Sequence, residues 1–188
     1  MYETADFKKG LRILMEDSPY VVVDFQHVKP GKGNQFTRTK LRNLLTGQNR
    51  EMTFKSGEKF GVPDIEIKEM SYLYKDENGF NFMDQTNYEQ IMMTPDEVGE
   101  QANYLTENLK VMVMIFNERP VGIDVPKAVN LKVTKSDPGI KGDRVTGATK
   151  PATMESGLVV QVPLHISEGD VLRIDTSTGD YVERVNQK

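Results

Sequence analysis

The run YVVVDFQHVKPGKGNQFTRTKLRNLL, Tyr20 to Leu45, sets the terms for the rest of the chain. Its two flanks are rich in β-branched and aromatic residues, and a Pro-Gly turn signal separates them. The pattern predicts a β-hairpin with Lys32 near its apex, between Gly31 and Gly33. Pro30 removes a backbone donor and fixes one dihedral just before the tip. In the second flank Arg38, Lys40 and Arg42 recur at every second position, which a strand places on one face, with Thr37, Thr39 and Leu41 on the other. From Phe25 to Arg50 there are six basic residues and no acidic one. A solvated outer face is one reading of that row. The missing acids favour the other, contact with a polyanion.

Periodicity of two continues outward from this hairpin. EKFGVPD, Glu58 to Asp64, breaks the pattern at Gly61 and Pro63. Strands resume in DIEIKEMSYLYKDENGFNFMD, where Asn78-Gly79 is a hairpin signal. TPDEVGEQANYL is the best helical candidate. Thr94 can cap it, Pro95 suits its first position, Glu97 completes a capping box, and Gly99 keeps it short. VMVMIFNERPVGIDVP reads as strand, turn and strand, its methionines as core filler. A second boundary falls at Pro126 to Ala128. Beyond it come the strand VNLKVTKSD, a Gly-rich loop from Pro138 to Pro151, and three strand-like runs with turns at Ser167–Gly169 and Ser177–Asp180. Three β-rich segments of roughly 60 residues predict three small barrels in a row, 1–63, 64–127 and 128–188. Each is near the size at which a lone core is marginal, so neighbours are expected to brace one another.

Composition excludes several chemistries. There is no cysteine, so disulfides, thiolate metal sites and cysteine nucleophiles are out. No run approaches the roughly 20 apolar residues of a membrane span, and MYETADFKKG lacks the basic-then-apolar order of a signal peptide. A cytoplasmic protein is expected. The net charge of −4 argues against a general nucleic-acid coat, yet the acids and bases are segregated along the chain. His27 and His165 fall in different segments, with His165 expected to be partly buried and structural. GIKGDRVTG lacks the Walker order, and pairs such as Asp64/Glu66 read as solvated strand faces. No catalytic residue, metal site or cofactor is expected.

The loop VKPGKGNQFTRTKLRNLLTG resembles the first-domain loop of bacterial elongation factor P. KPATMESGLVVQVPLHISEG, Lys150 to Gly169, resembles that family's C-terminal signature over its full length, matching at Lys150, Ala152, Gly157, Val160, Val162, Pro163, Ile166 and Gly169. VNLKVTKSDPGIKGD and DTSTGDYVERV are also similar to the family, so the likeness runs along essentially the whole chain.

That resemblance implies an SH3-like, KOW-type barrel followed by two OB-fold barrels, in the L outline of a tRNA. It implies a monomer that binds the ribosome, both rRNA and ribosomal proteins, between the peptidyl-tRNA and exit sites and relieves stalling at consecutive prolines. Lys32 would be the tip residue, post-translationally extended by a lysine-modifying enzyme and placed against the CCA end of the peptidyl-tRNA. Lys29, Pro30, Gly31, Gly33 and Asn34 would form the tip loop. Arg38, Lys40 and Arg42 would hold phosphates. Gly99, Glu100, Gln101 and Ala102 would match a loop that approaches mRNA at the exit-site codon, with glutamate where the family commonly has aspartate. A lysine tip argues against the rhamnose-bearing branch and leaves β-lysine, an aminopentanol or no modification open. The alternatives are a paralogue with other stalling targets and a structural RNA-binding protein with a KOW-like barrel.

Overall fold

The computed structural model describes residues 1–138 and 148–185. Most of the Gly-rich loop expected after Pro138, residues 139–147, lies outside the described residues. Among these residues, apart from one short α-helix and two 3-10 turns, the regular structure is all β.

The first strands are β1 (Tyr2–Glu3), β2 (Arg12–Met15), β3 (Ser18–Val28), β4 (Phe36–Asn43), β5 (Asn49–Lys55) and β6 (Lys59–Phe60). β2 to β5 form one antiparallel sheet in sequence order, while β1 pairs with β6. Beyond β6, Gly61 bridges back to Leu14 of β2, the N–H of each donating to the carbonyl of the other at 2.8 and 3.2 Å. A bulge between Val22 and Asp24 bends β3 and leaves Val23 exposed. The inward side chains Ile13, Tyr20, Val22, Leu41, Phe54 and Phe60 are buried together. Phe54 meets Phe60 edge-on, with ring centroids 4.8 Å apart.

The middle strands are β7 (Ile65–Lys75), β8 (Phe80–Met83), β9 (Gln90–Met93), β10 (Lys110–Phe116) and β11 (Arg119–Asp124), in the order β11-β10-β7-β8-β9. Helix α1 (Pro95–Val98) is a single turn and runs into a 3-10 segment, Gly99–Tyr104. Thr94 caps it by accepting the Glu97 N–H at 3.3 Å. The expected reciprocal bond takes a different form, since the Glu97 carboxylate accepts from the Thr94 hydroxyl at 3.1 Å. Met114 is buried as core filler, but Met112, on the same face of β10, is exposed, because Leu14, Leu44, Leu45 and Ile65 cover the cluster of Met114, Phe116 and Val121, which does not include Met112.

The last strands are β12 (Ala128–Ser136), β13 (Thr149–Met154), β14 (Val159–Pro163), β15 (Val171–Asp175) and β16 (Asp180–Val185), in the order β14-β13-β12-β15-β16. The edge strands β14 and β16 come back into contact. Residues of the C-terminal signature do the packing here: Lys150, Ala152, Val160, Val162 and Ile166 are all buried. The Lys150 ammonium donates to the Asp137 carbonyl at 2.7 Å. His165 is exposed rather than partly buried, since the turn after Pro163 drives Ile166 into the core and swings its neighbour out.

By compactness the chain divides into two units, residues 1–68 with 113–122 and residues 69–112 with 123 onward. In the first, Met114, Phe116 and Val121 pack with Leu14, Leu44, Leu45 and Ile65, and the Arg119 guanidinium donates to the Leu45 carbonyl at 3.1 Å. In the second, Tyr104 joins the core of Leu131, Val162 and Leu172, and the Ser156 hydroxyl donates to the Asn103 carbonyl. Within each unit, segments far apart in sequence share apolar cover that a lone sheet of this size lacks.

Candidate functional site

The β3–β4 ladder ends at the pair Val28–Phe36, and the loop Lys29–Gln35 closes it. Its base is well tied. Nδ1 of His27 and Oγ1 of Thr37 share a hydrogen bond at 2.9 Å. The Phe25 ring stands edge-on to His27 at 5.2 Å and to Phe7 at 6.4 Å. The Ser56 N–H donates to the Gln35 carbonyl at 3.1 Å. Above that base, among the described residues, no side chain from Lys29 to Asn34 makes a hydrogen bond or an ion pair.

Lys32 is exposed at the tip, with Lys29 and Asn34 also exposed and Pro30 half-buried. Gly33 has φ +104°, a conformation that favours glycine. Gly31 has no such constraint, and a Cβ added at either glycine would meet nothing within 4 Å. Neither backbone strain nor internal packing requires glycine at 31.

On β4 the expected alternation holds: Arg38 and Lys40 are exposed, Arg42 is half-buried, and Thr37, Thr39 and Leu41 are buried. The row is not free of acids, however. Asp24 and Glu51 lie one residue outside each end of the basic window, and strand register brings both beside Lys40. The Lys40 ammonium sits 3.7 Å from the Glu51 carboxylate. Arg50 is paired too, 3.3 Å from both Glu16 and the Tyr20 hydroxyl. Arg38 has no carboxylate partner among the described residues and lies 5.6 Å over the Phe36 ring. The six basic residues therefore divide. Lys29, Lys32, Arg38 and Arg42 keep uncompensated charge among the described residues, whereas Lys40 and Arg50 are countered. Across this face Asp24, Gln26, Arg38, Lys40, Glu51 and Thr53 line an open depression of about 640 Å³.

Gly99, Glu100, Gln101 and Ala102 belong to the other compact unit, at the start of the 3-10 segment. Glu100 is exposed, Gly99, Gln101 and Ala102 are half-buried, and Asp96 and Glu97 occupy the preceding turn. Nearby Tyr104 has its phenol pKa pushed up by burial first and by the Glu100, Asp175 and Asp180 charges second. Among the described residues no group of three or more His, Asp or Glu side chains is arranged to hold a metal ion. No helix there is long and apolar enough to cross a membrane.

Three family models match in order along the chain: the elongation factor P KOW-like domain over residues 3–60, its OB domain over 65–123 and its C-terminal domain over 129–184. The chain is 73% identical over 188 residues to elongation factor P of Bdellovibrio bacteriovorus, covering 100% of both. It is 47% identical over 184 residues to elongation factor P of Oleidesulfovibrio alaskensis, covering 98% of this chain and 100% of that one. Among solved structures it is similar to eukaryotic translation initiation factor 5A from Methanococcus jannaschii, with a TM-score of 0.50 at 20% identity, covering 66% of this chain and 90% of that one. That likeness speaks to the fold alone. With a KOW-like sheet carrying the lysine-tipped hairpin and relatives that match it end to end, the chain belongs to the elongation factor P family.

Proposed function

We propose that this translation elongation factor binds the ribosome between the peptidyl-tRNA and exit sites and speeds peptide-bond formation at consecutive prolines. It is not an enzyme; the ribosome remains the catalyst. Proline's fixed ring makes it a poorly placed partner in that reaction. Misplaced reactants forfeit the advantage of being held in line, which can be worth several kcal/mol of barrier. A cationic arm that orders the CCA end of the peptidyl-tRNA recovers part of it.

Lys32 is that arm, extended by a lysine-modifying enzyme with a β-lysine or aminopentanol group. The observation that carries the reading is the bareness of the tip. Lys32 is exposed without a partner among the described residues, and Gly31 beside it is a glycine for which the fold supplies no reason. A narrow tip suits both the grasp of a modifying enzyme and entry into a channel walled by RNA. Arg38 and Arg42 serve as phosphate contacts, with Lys40 a weaker one because Glu51 competes for it. The segment Gly99–Ala102 approaches the exit-site codon. The strands close as three barrels over 1–63, 64–127 and 128–188, in a monomeric, cytoplasmic protein.

The test is intact mass of the chain from its native cell with peptide mapping across Lys29–Lys40, joined to a Pro-Pro reporter with Lys32→Ala. A mass addition on Lys32 and a loss of about 10- to 100-fold in Pro-Pro bond formation, about 1.4–2.7 kcal/mol of barrier, are expected with thermal stability unchanged. A Lys32→Ala chain that keeps full Pro-Pro activity and merely binds RNA more weakly by one phosphate contact sinks the proposal in favour of a structural RNA-binding role. Ribosome pauses at motifs other than Pro-Pro in a deletion strain identify the paralogue instead.

A further inference from the structure

From Glu69 to Met112 the chain carries nine carboxylate residues and two lysines, with no arginine and no histidine. Within this acidic stretch the register sets Tyr74 of β7, Asn81 of β8 and Met92 of β9 in one cross-strand row. Their neighbours Tyr72, Phe80, Phe82 and Met93 are buried, so the row faces out, with Tyr74 53% and Met92 46% exposed. The Asn81 amide donates to Asp76 at 3.1 Å and to the Tyr74 carbonyl at 3.4 Å, which fixes the middle of the row. Beyond it, in the β8–β9 loop, Tyr88 is 70% exposed at φ +61°. That backbone region is uncommon for an aromatic residue. The loop bonds from Tyr88 N–H to the Asp84 carbonyl and from Asp84 N–H to the Glu89 carbonyl use only backbone atoms, so they do not call for a tyrosyl ring.

Outward aromatics on an OB-type sheet can stack nucleobases, but such sites lie in positively charged grooves. The loops flanking this row present Asp76, Glu77 and Glu89, all exposed, and Lys75, next to them in sequence, is held 5.3 Å over the Phe80 ring. Phosphates are repelled here, and guanidinium and ammonium groups are attracted. We propose that this face of the middle sheet docks a Lys/Arg-rich protein segment. Its cations stack on Tyr74 and Tyr88 and pair with Glu77 and Glu89, while its aliphatic stems lie on Met92. The proposal rests on the ribosomal reading above and deepens it, assigning this surface to a basic protein of the bound particle rather than to RNA.

The test places a benzophenone photo-crosslinker at position 88 of the full chain bound to purified ribosomes. A crosslink to a Lys/Arg-rich protein segment is expected. Crosslinking to RNA alone, to a second copy of the chain or to nothing overturns the inference. Tyr74→Ser with Met92→Ser should weaken co-sedimentation with ribosomes by about tenfold, and Glu77→Gln with Glu89→Gln by about threefold with a shallower salt dependence. The melting temperature and Lys32 modification should stay unchanged in both. Unaltered affinity in the first pair overturns the inference as surely as an RNA crosslink. Failure of the wild-type chain to co-sediment removes the ribosomal reading as well, whereas co-sedimentation with no effect of these changes removes this inference alone.

Discussion

Two hairpin ends in this molecule carry the same kind of sequence signal and are built for opposite purposes. At Lys29–Gln35 the tip is bare. Its lysines are unpaired among the described residues, and a Cβ on either glycine would meet open space. At Asp76–Gly79 the turn is laced shut. The Asp76 carboxylate accepts from Asn78 N–H at 2.9 Å, Gly79 N–H at 3.1 Å and the Asn81 amide at 3.1 Å. Gly79 has φ +150°, and a Cβ there would fall 2.2 Å from the Met93 carbonyl oxygen. One turn contains glycine because the interior demands it. The other contains Gly31 without an internal reason, and in the proposal above the demand comes from outside the fold. What an added Cβ would strike separates the two cases, which sequence alone cannot do.

The largest expected effect tests that separation. Gly79→Ala forces the Met93 carbonyl to move and strains the turn, and should destabilise the chain by about 3–5 kcal/mol. For a chain of this size that is about 6–20 °C in melting temperature, read by thermal denaturation. Gly31→Ala should leave the melting temperature within about 2 °C while reducing Pro-Pro synthesis or Lys32 modification. A comparable loss of stability from both substitutions would break the comparison.

The next effect sharpens the basic side of it. Arg38→Gln and Arg42→Gln should each weaken ribosome binding and lower the slope of log K against log salt by about one. Lys40→Gln should do less. Its charge already faces Glu51 across an exposed gap, and such pairs are worth about 0–1 kcal/mol. Equal slopes for all three variants would mean that Glu51 turns away from Lys40 in the complex.

Much of this was legible in the sequence, and the reasons it was differ from place to place. The lysine-tipped hairpin followed from β-branched flanks around a Pro-Gly turn, and the inward and outward rows of β4 from strict period-two alternation. The C-terminal signature pointed to the family, although Lys150, Ala152, Val160, Val162 and Ile166 turn out to serve packing rather than contact with a partner. Neighbours across strands were not legible. Asp24 comes beside Lys40 through a β3–β4 register that includes the bulge at Val22/Asp24, which leaves no mark in a hydrophobic pattern, and Glu51 comes beside it through the regular β4–β5 register, which the pattern of one strand does not encode. The pairing of hairpin 113–122 with Leu14, Leu44 and Leu45 was hidden for the same reason, since it joins segments distant in sequence. His165 was misplaced because a single residue at a strand end goes in or out according to the turn that follows.

The smallest effect concerns pH, and it falls on the laced turn. Hydrogen bonds from the Asn78 N–H, then the Asn81 amide, then the Gly79 N–H hold the Asp76 carboxyl below its ordinary pKa. Because the folded value is depressed, the ionised carboxylate favours the folded turn at all pH values above the unfolded pKa. That contribution fades as pH falls from the ordinary carboxylate value to the lowered folded one. Asp175 behaves alike through the Ser177 hydroxyl and N–H. The side chain of Asp76 is exposed, so acid should loosen the turn locally without unfolding the chain. Followed by NMR, the Gly79 amide shift should titrate with a midpoint below that of an ordinary aspartate, and Asp76→Asn should abolish the titration. The Gly31 and Gly33 amides should not follow it, because among the described residues no carboxylate is hydrogen-bonded to the tip. A tip amide that titrates in step with Gly79 would show an acid reaching the loop Lys29–Gln35, and the uncompensated charge assigned to Lys32 would have to be withdrawn.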